Sequence, residues 1–242
     1  MSPLRGIFQS PASEGLAAII AAAAEASSTS AAPPASTATP ATTTPAGLSS
    51  FSDDFDGDLS AFTQTRLAGS RDFAVADGLA RLQTSAWEHA ETRAMLSTPL
   101  ASADHLARIE EADYPDGPWH TLVVRANTAQ GNPDDAYLLK RFHTYFAQPI
   151  WTLVRRKGGV ESVLASDSPD WLVPTAVWEL RVSGTGEAVT LTVKLDGETL
   201  AEVVDDSEDR LLDGRCVGWG AGANGVGANL TISITRFHAE TL

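Results

Sequence analysis

From Phe51 onward the chain alternates apolar and polar residues with a period of two, the signature of strands with one face buried. Val189, Leu191, Val193 and Leu195 point one way, and Thr190, Thr192 and Lys194 the other. Trp178, Leu180 and Val182 repeat the pattern one strand earlier, and Leu230, Ile232 and Ile234 repeat it near the C-terminus against Thr231, Ser233 and Thr235. Asp77-Gly78 and Asp196-Gly197 are tight-turn dipeptides; they join Asp72–Ala76 to Leu79–Thr84 and the Val189 strand to Thr199–Val204. Further strands are predicted at Thr92–Ser97, His105–Glu111, Trp119–Ala126, Ala136–Tyr145, Ile150–Arg156 and Val160–Ala165. A dozen or so strands without a helix across roughly 190 residues predict an all-β fold, a two-sheet antiparallel β-sandwich of jelly-roll type. No second linker interrupts the run, so residues 51–242 read as one domain.

The residues before Phe51 follow different rules. Residues 27–50 hold six Ser, six Thr, six Ala and four Pro, which leaves almost nothing to bury and favours an extended linker. Ahead of it, Leu16, Ile19 and Ile20 share one face of a short Ala-rich helix, with Ser13 as N-cap and Glu14 near its positive end. A helix this short is marginal alone, so residues 1–26 are expected to dock, with those three residues as the anchor. The competing reading is a secretory signal with the apolar run Leu16–Ala24. Its weaknesses are Arg5 as the only preceding cation and Glu14 at the start of the run.

Charge narrows the partners. With 17 Lys+Arg against 31 Asp+Glu the net charge is −14, which argues against a nucleic-acid or anionic-membrane surface. Cys216 is the only cysteine, so no intrachain disulfide forms. No apolar run reaches the roughly 18 to 20 residues of a membrane-spanning helix.

The opening Phe51-Ser52-Asp53-Asp54-Phe55-Asp56-Gly57 resembles the first strand of concanavalin A-like lectin/glucanase domains, laminin G-like modules among them. Trp151 to Arg155, Trp178 to Val182, Leu191 to Leu200, Gly214 to Gly220 and Leu230 to Phe237 resemble later strands of the same group. The resemblance implies the concanavalin A-like sandwich and covers residues 51–242. Glucanases of the group carry a Glu-x-Asp-x-x-Glu strand, and the nearest match here is Glu111-x-Asp113-x-x-Asp116. Its last acid is shortened and Pro115 breaks the strand, so the stretch reads as an acidic loop and no catalytic residue is expected.

Binding chemistry has better candidates. A loop-borne aromatic can stack on a pyranose while neighbouring acids take its hydroxyls; Trp87, Tyr114 with Asp116, and Trp171 fit that description, whereas Trp151 and Trp178 belong to the core. Asp53, Asp54 and Asp56 form a candidate structural calcium site, although the spacing departs from an EF-hand at Leu59 and Thr65. No other cofactor is implied. Gly218-Trp219-Gly220-Ala221-Gly222 lacks the following helix of a dinucleotide fingerprint and reads as a bulged strand.

A docking peptide, a spacer and a lectin-like sandwich together resemble bacteriophage minor tail, fibre or decoration proteins. That resemblance implies a non-enzymatic virion protein, anchored to other virion proteins through residues 1–26, homo-oligomeric on the particle, and contacting neighbours or cell-surface glycan. The alternative is a secreted bacterial protein that binds or cleaves glucans.

Overall fold

The computed structural model describes residues 46–112, 117–142, 150–168, 175–224 and 229–242. The expected anchor residues Leu16, Ile19 and Ile20 lie outside these residues, as does the linker up to residue 45. Among the described residues, pairing begins at Leu48, which bridges Leu100.

Fifteen strands follow among the described residues: β1 (Ser50–Asp53), β2 (Phe62–Ala68), β3 (Ala74–Ala76), β4 (Leu79–Thr84), β5 (Ala90–Leu96), β6 (His105–Glu111), β7 (Pro118–Ala126), β8 (Ala136–Phe142), β9 (Trp151–Lys157), β10 (Val160–Asp167), β11 (Val177–Ser183), β12 (Val189–Leu195), β13 (Glu198–Asp205), β14 (Cys216–Ala223) and β15 (Leu230–Thr241). One sheet has the order β13-β12-β11-β6-β15-β4-β3, with β1 also on β15. The other has the order β10-β9-β8-β7-β14-β5-β2. Every pairing between these strands is antiparallel, as expected of a jelly-roll sandwich.

The two tight turns form as the dipeptides predict. Asp77 and Gly78 both adopt positive φ (54° and 69°), as do Asp196 and Gly197 (50° and 87°), which matches the right-handed twist of a hairpin. Inward positions then build the core. Val189, Leu191, Val193 and Leu195 face Leu122, Val124, Leu139 and Leu153, with Trp151 and Trp178 each 2% exposed. At the other end Phe51, Phe55, Phe62, Phe73 and Phe237 cluster with Trp219 through edge and tilted ring contacts.

Two strands escape the periodicity. β2 (Phe-Thr-Gln-Thr-Arg-Leu-Ala) is an edge strand that needs few apolar residues. β14 carries glycine at every other position, so half of its pattern is blank. Those glycines form a trough on the outer face. A Cβ at Gly218 would stand 2.6 Å from Met95 Sδ, at Gly220 2.7 Å from Arg93 Cγ, and at Gly222 2.3 Å from the Trp119 ring. Side chains from β5 and β7 therefore lie flat across β14, which no residue with a Cβ would allow. The expected bulge is present: the β14–β7 register shifts between Cys216 and Gly218.

Polar groups buried at the strand ends tie down loops. Arg125, fully buried at φ 50°, donates to the carbonyls of Ala103, Gly184 and Leu211 and to Asp104 Oδ1. Its backbone N–H donates to His105 Nε2 at 2.9 Å. Tyr137 Oη donates to buried Asp205 at 2.8 Å and accepts from Leu211 N at 3.0 Å, and Arg155 pairs with the same carboxylate. Burial works against the Asp205 charge, but hydrogen bonds from Ser207, Tyr137 and Arg155 outweigh it and hold the pKa below its ordinary value.

Candidate functional site

Of the acids in Glu111-x-Asp113-x-x-Asp116, the described residues include Glu111 alone. Glu111 ends β6 facing into the sandwich, 4% exposed, with its Oε1 3.0 Å from His120 Nδ1 on the opposite sheet. Asp113 lies outside the described residues. On the outer face of the seven-stranded sheet the strand carboxylates are Glu91 and Glu161, each engaged with cations. They stand on β5 and β10, five strand intervals apart in the sheet, and the Arg93 guanidinium, 3.1 Å from Glu91 Oε1, feels the charge of Glu161 as well.

In the acidic opening Asp53 Oδ1 accepts the Phe55 N–H at 2.7 Å, and Asp54 pairs with Arg236. No group of three His, Cys, Asp or Glu suited to a metal stands among the described residues. One of the three carboxylates Asp53, Asp54 and Asp56 thus caps its own turn, and the next is held by a guanidinium on β15.

Of the four aromatic and acidic binding candidates, Tyr114, Asp116 and Trp171 lie outside the described residues. Trp87 lies within them, and its placement is unusual. It is 76% exposed at φ 65°, a left-handed conformation that costs a bulky residue roughly 1–3 kcal/mol. The turn between β4 and β5 holds it there. Ser85 N donates to Glu88 Oε2 at 2.9 Å while Glu88 N donates to Ser85 O at 3.1 Å. Arg71, from the β2–β3 loop, grips Glu88 through Nε at 3.0 Å and Ser85 Oγ through Nη2 at 2.7 Å. From the other side Asn229 Oδ1 accepts the Ala86 N–H at 2.9 Å. The Ser85 backbone bond and then Arg71 hold the Glu88 carboxyl below the usual range, so the clamp stays charged at neutral pH.

Two grooves open beside this turn, on either side of Arg71. One, about 320 Å³, is lined by Gln83, Ser85, Asn229 and Thr231. The other, about 380 Å³, is lined by Asp72, Arg81 and Gln83, with Ala74 and Ala76. Amide, hydroxyl and guanidinium groups at these positions both donate and accept, which suits a ligand rich in hydroxyls. Trp87 lines neither groove itself; it stands on the same turn as Ser85, which lines the first. His89, the next exposed residue of the turn, meets Trp119 edge-on at 6.1 Å and links the turn to the outer face of the seven-stranded sheet.

Sequence reasoning singled out Trp87 but missed Arg71, Gln83 and Asn229. Ser85-x-x-Glu88 is a capping-box spacing and marks the turn locally. Asn229, 143 positions from Ala86, has no local signature.

No family model matches the chain, and no curated protein matches it. Solved structures do. Lectin II from Ulex europaeus superposes with a TM-score of 0.53 at 13% identity, covering 80% of this chain and 98% of the lectin. The exoplasmic/lumenal domain of VIP36, in its Ca²⁺/Man3GlcNAc-bound form, gives 0.54 at 12% identity over 80% and 88%. The β-glucanase of Bacillus licheniformis gives 0.53 at 10% identity over 80% and 98%. At these identities the likeness is one of fold, and the fold is the jelly-roll sandwich that these lectins and this glucanase share.

Proposed function

We propose that the chain is a non-catalytic, glycan-contacting sandwich displayed on a bacteriophage particle. Residues 1–26 anchor it to other virion proteins and residues 27–50 act as spacer. The observation that carries the binding role is the Trp87 turn, where a strained, exposed indole is clamped by Arg71, Glu88, Ser85 and Asn229 beside two polar grooves. Trp87 stacks on a sugar ring while Gln83, Asn229 and Thr231 exchange hydrogen bonds with its hydroxyls. Glu111, the one acid of Glu111-x-Asp113-x-x-Asp116 among the described residues, is turned inward to His120, which supports binding without cleavage. Lectin UEA-II is known complexed with galactose, which lends the fold a precedent for this use. Several copies on one particle turn weak single-site affinity into useful avidity.

A glycan array probed with the full chain and with Trp87→Ala tests the binding role. Retention of a glycan by the native chain and its loss in a variant of unchanged thermal stability is the expected result; equal binding by both removes Trp87 from the site. Immunoblotting of purified particles tests the location, and absence of the chain from them sinks the virion reading. The run Leu16–Ala24, followed by small residues, favours a second reading, a secreted carbohydrate-binding protein. Mass spectrometry of the native N-terminus separates the two, since cleavage near Ala24 to Ser28 means export.

A further inference from the structure

The outer face of β8, β9 and β10 gathers cations that the Trp87 turn does not use. Register sets Lys140 beside Thr152 and, on the same strand pairs, Ala136 beside Arg156 and Arg156 beside Glu161. Lys140 Nζ donates to Glu161 Oε2 at 2.6 Å. Arg156 Nη1 stays 3.9 Å from Glu161 Oε1, beyond hydrogen-bond distance, and its buried Nε has no partner. Arg93, 3% exposed and laid flat over Gly220, points into the same region. Two of its nitrogens reach Glu91 Oε1 at 3.1 Å and Gly131 O at 3.4 Å, but its Nε is likewise buried without a partner. Burial depresses the Arg93 pKa, Glu91 raises it, and Arg156 lies near enough to lower it again by like-charge repulsion.

Three cations thus share this region with two carboxylates, in a chain whose net charge is −14. Two guanidiniums near one another repel, and an anion placed between them relieves that repulsion. The carboxylate of Glu161 already sits between Lys140 and Arg156, which shows the chemistry these cations accept. A guanidinium also has the planar fork that takes a carboxylate at two points. Alongside, Thr152 and Ser166 occupy neighbouring outward positions in the row of Lys140 and supply hydroxyls. Val163 at 65% exposure gives an apolar contact at the edge.

We propose that the outer face of β8–β10 is a second binding site, for a carboxylate-bearing saccharide such as a uronic-acid oligomer, held by Arg156 and Lys140. Thr152 and Ser166 meet the sugar hydroxyls, and Glu161 competes with the ligand carboxylate for the same two cations.

Isothermal titration of the full chain with hexagalacturonate tests this, with cellohexaose as the neutral control. The acidic oligomer binds, the neutral one does not, and 0.5 M salt weakens binding because the contact is ionic. Arg156→Ala weakens it by about tenfold or more, Arg156→Lys by less, and Glu161→Gln strengthens it by about threefold, each at unchanged thermal midpoint. Trp87→Ala leaves it unchanged, so failure here is distinct from failure of the Trp87 site. Equal affinity for cellohexaose, or native affinity in folded Arg156→Ala and Lys140→Ala, overturns the site. Equal or tighter binding of hexaglutamate overturns the saccharide assignment.

Discussion

Acidification from pH 7 to pH 4 should destabilise the sandwich through one buried histidine. His105, 0% exposed, holds its Nδ1 3.0 Å from the Ser102 carbonyl, and its Nε2 accepts the Arg125 N–H at 2.9 Å. The first contact requires a proton on Nδ1 and the second a lone pair on Nε2, so the folded ring is the neutral Nδ1–H tautomer. Burial, aided by the Arg125 charge and opposed by the Ser102 carbonyl and Asp104, brings its pKa from 6.5 down to about 4. The unfolded chain therefore binds a proton that the folded chain refuses. The stabilisation is complete above pH 6.5 and is lost as pH falls from there to about 4. At about 1.4 kcal/mol per pH unit that loss is about 3 kcal/mol, a large part of the roughly 5–15 kcal/mol of a typical domain. Protonation also turns an N–H toward the Arg125 N–H, opening the bulge that aims the buried guanidinium at the Ala103, Gly184 and Leu211 carbonyls. Urea unfolding of the native chain and of His105→Gln, at half-unit pH steps, isolates the contribution as the difference in slope between them. The reasoning fails if both lose stability in parallel between pH 6.5 and 4.

Tyr137→Phe should cost about 2–4 kcal/mol in the same assay, because it strips a donor from the Asp205 carboxylate and orphans the buried Leu211 N–H. A cost under 0.5 kcal/mol would mean that water replaces the hydroxyl. The charge on Asp205 adds stability above the unfolded carboxylate pKa and withdraws it as pH falls through the lower folded value. In Asp205→Asn that acid-side decline should flatten at pH values below those where His105 acts. Gly222→Ala places a methyl 2.3 Å from the Trp119 ring and should cost about 1–3 kcal/mol, with a change in tryptophan fluorescence as the indole lifts off β14. Trp87→Asn should raise stability by about 0.5–1 kcal/mol, since Asn tolerates the left-handed backbone and little burial is lost, while it abolishes glycan binding. A destabilised Trp87→Asn would show that the indole serves packing.

The alternating pattern by itself determined the sandwich, because side chains on a strand have only two directions and water sorts them. Val189 to Leu195, Trp178 to Val182 and the two Asp-Gly hairpins could be read without any tertiary knowledge, and so could the exposure of Trp87 in a turn opened by Ser85 and Glu88. The strand at Gly218 to Gly222 could be read, but its trough could not, since glycine carries no preference of its own and the trough exists only because Met95, Arg93 and Trp119 arrive from neighbouring strands. The fate of each acid was also a tertiary decision. Glu111 turned inward to His120, Asp54 went to Arg236 across 182 positions, and Glu91 and Glu161 were claimed by cations on the outer face. Ionic and hydrogen-bond partners are chosen by distance in space, which a linear sequence does not carry; hydrophobic alternation is local, and the sequence carries it in full.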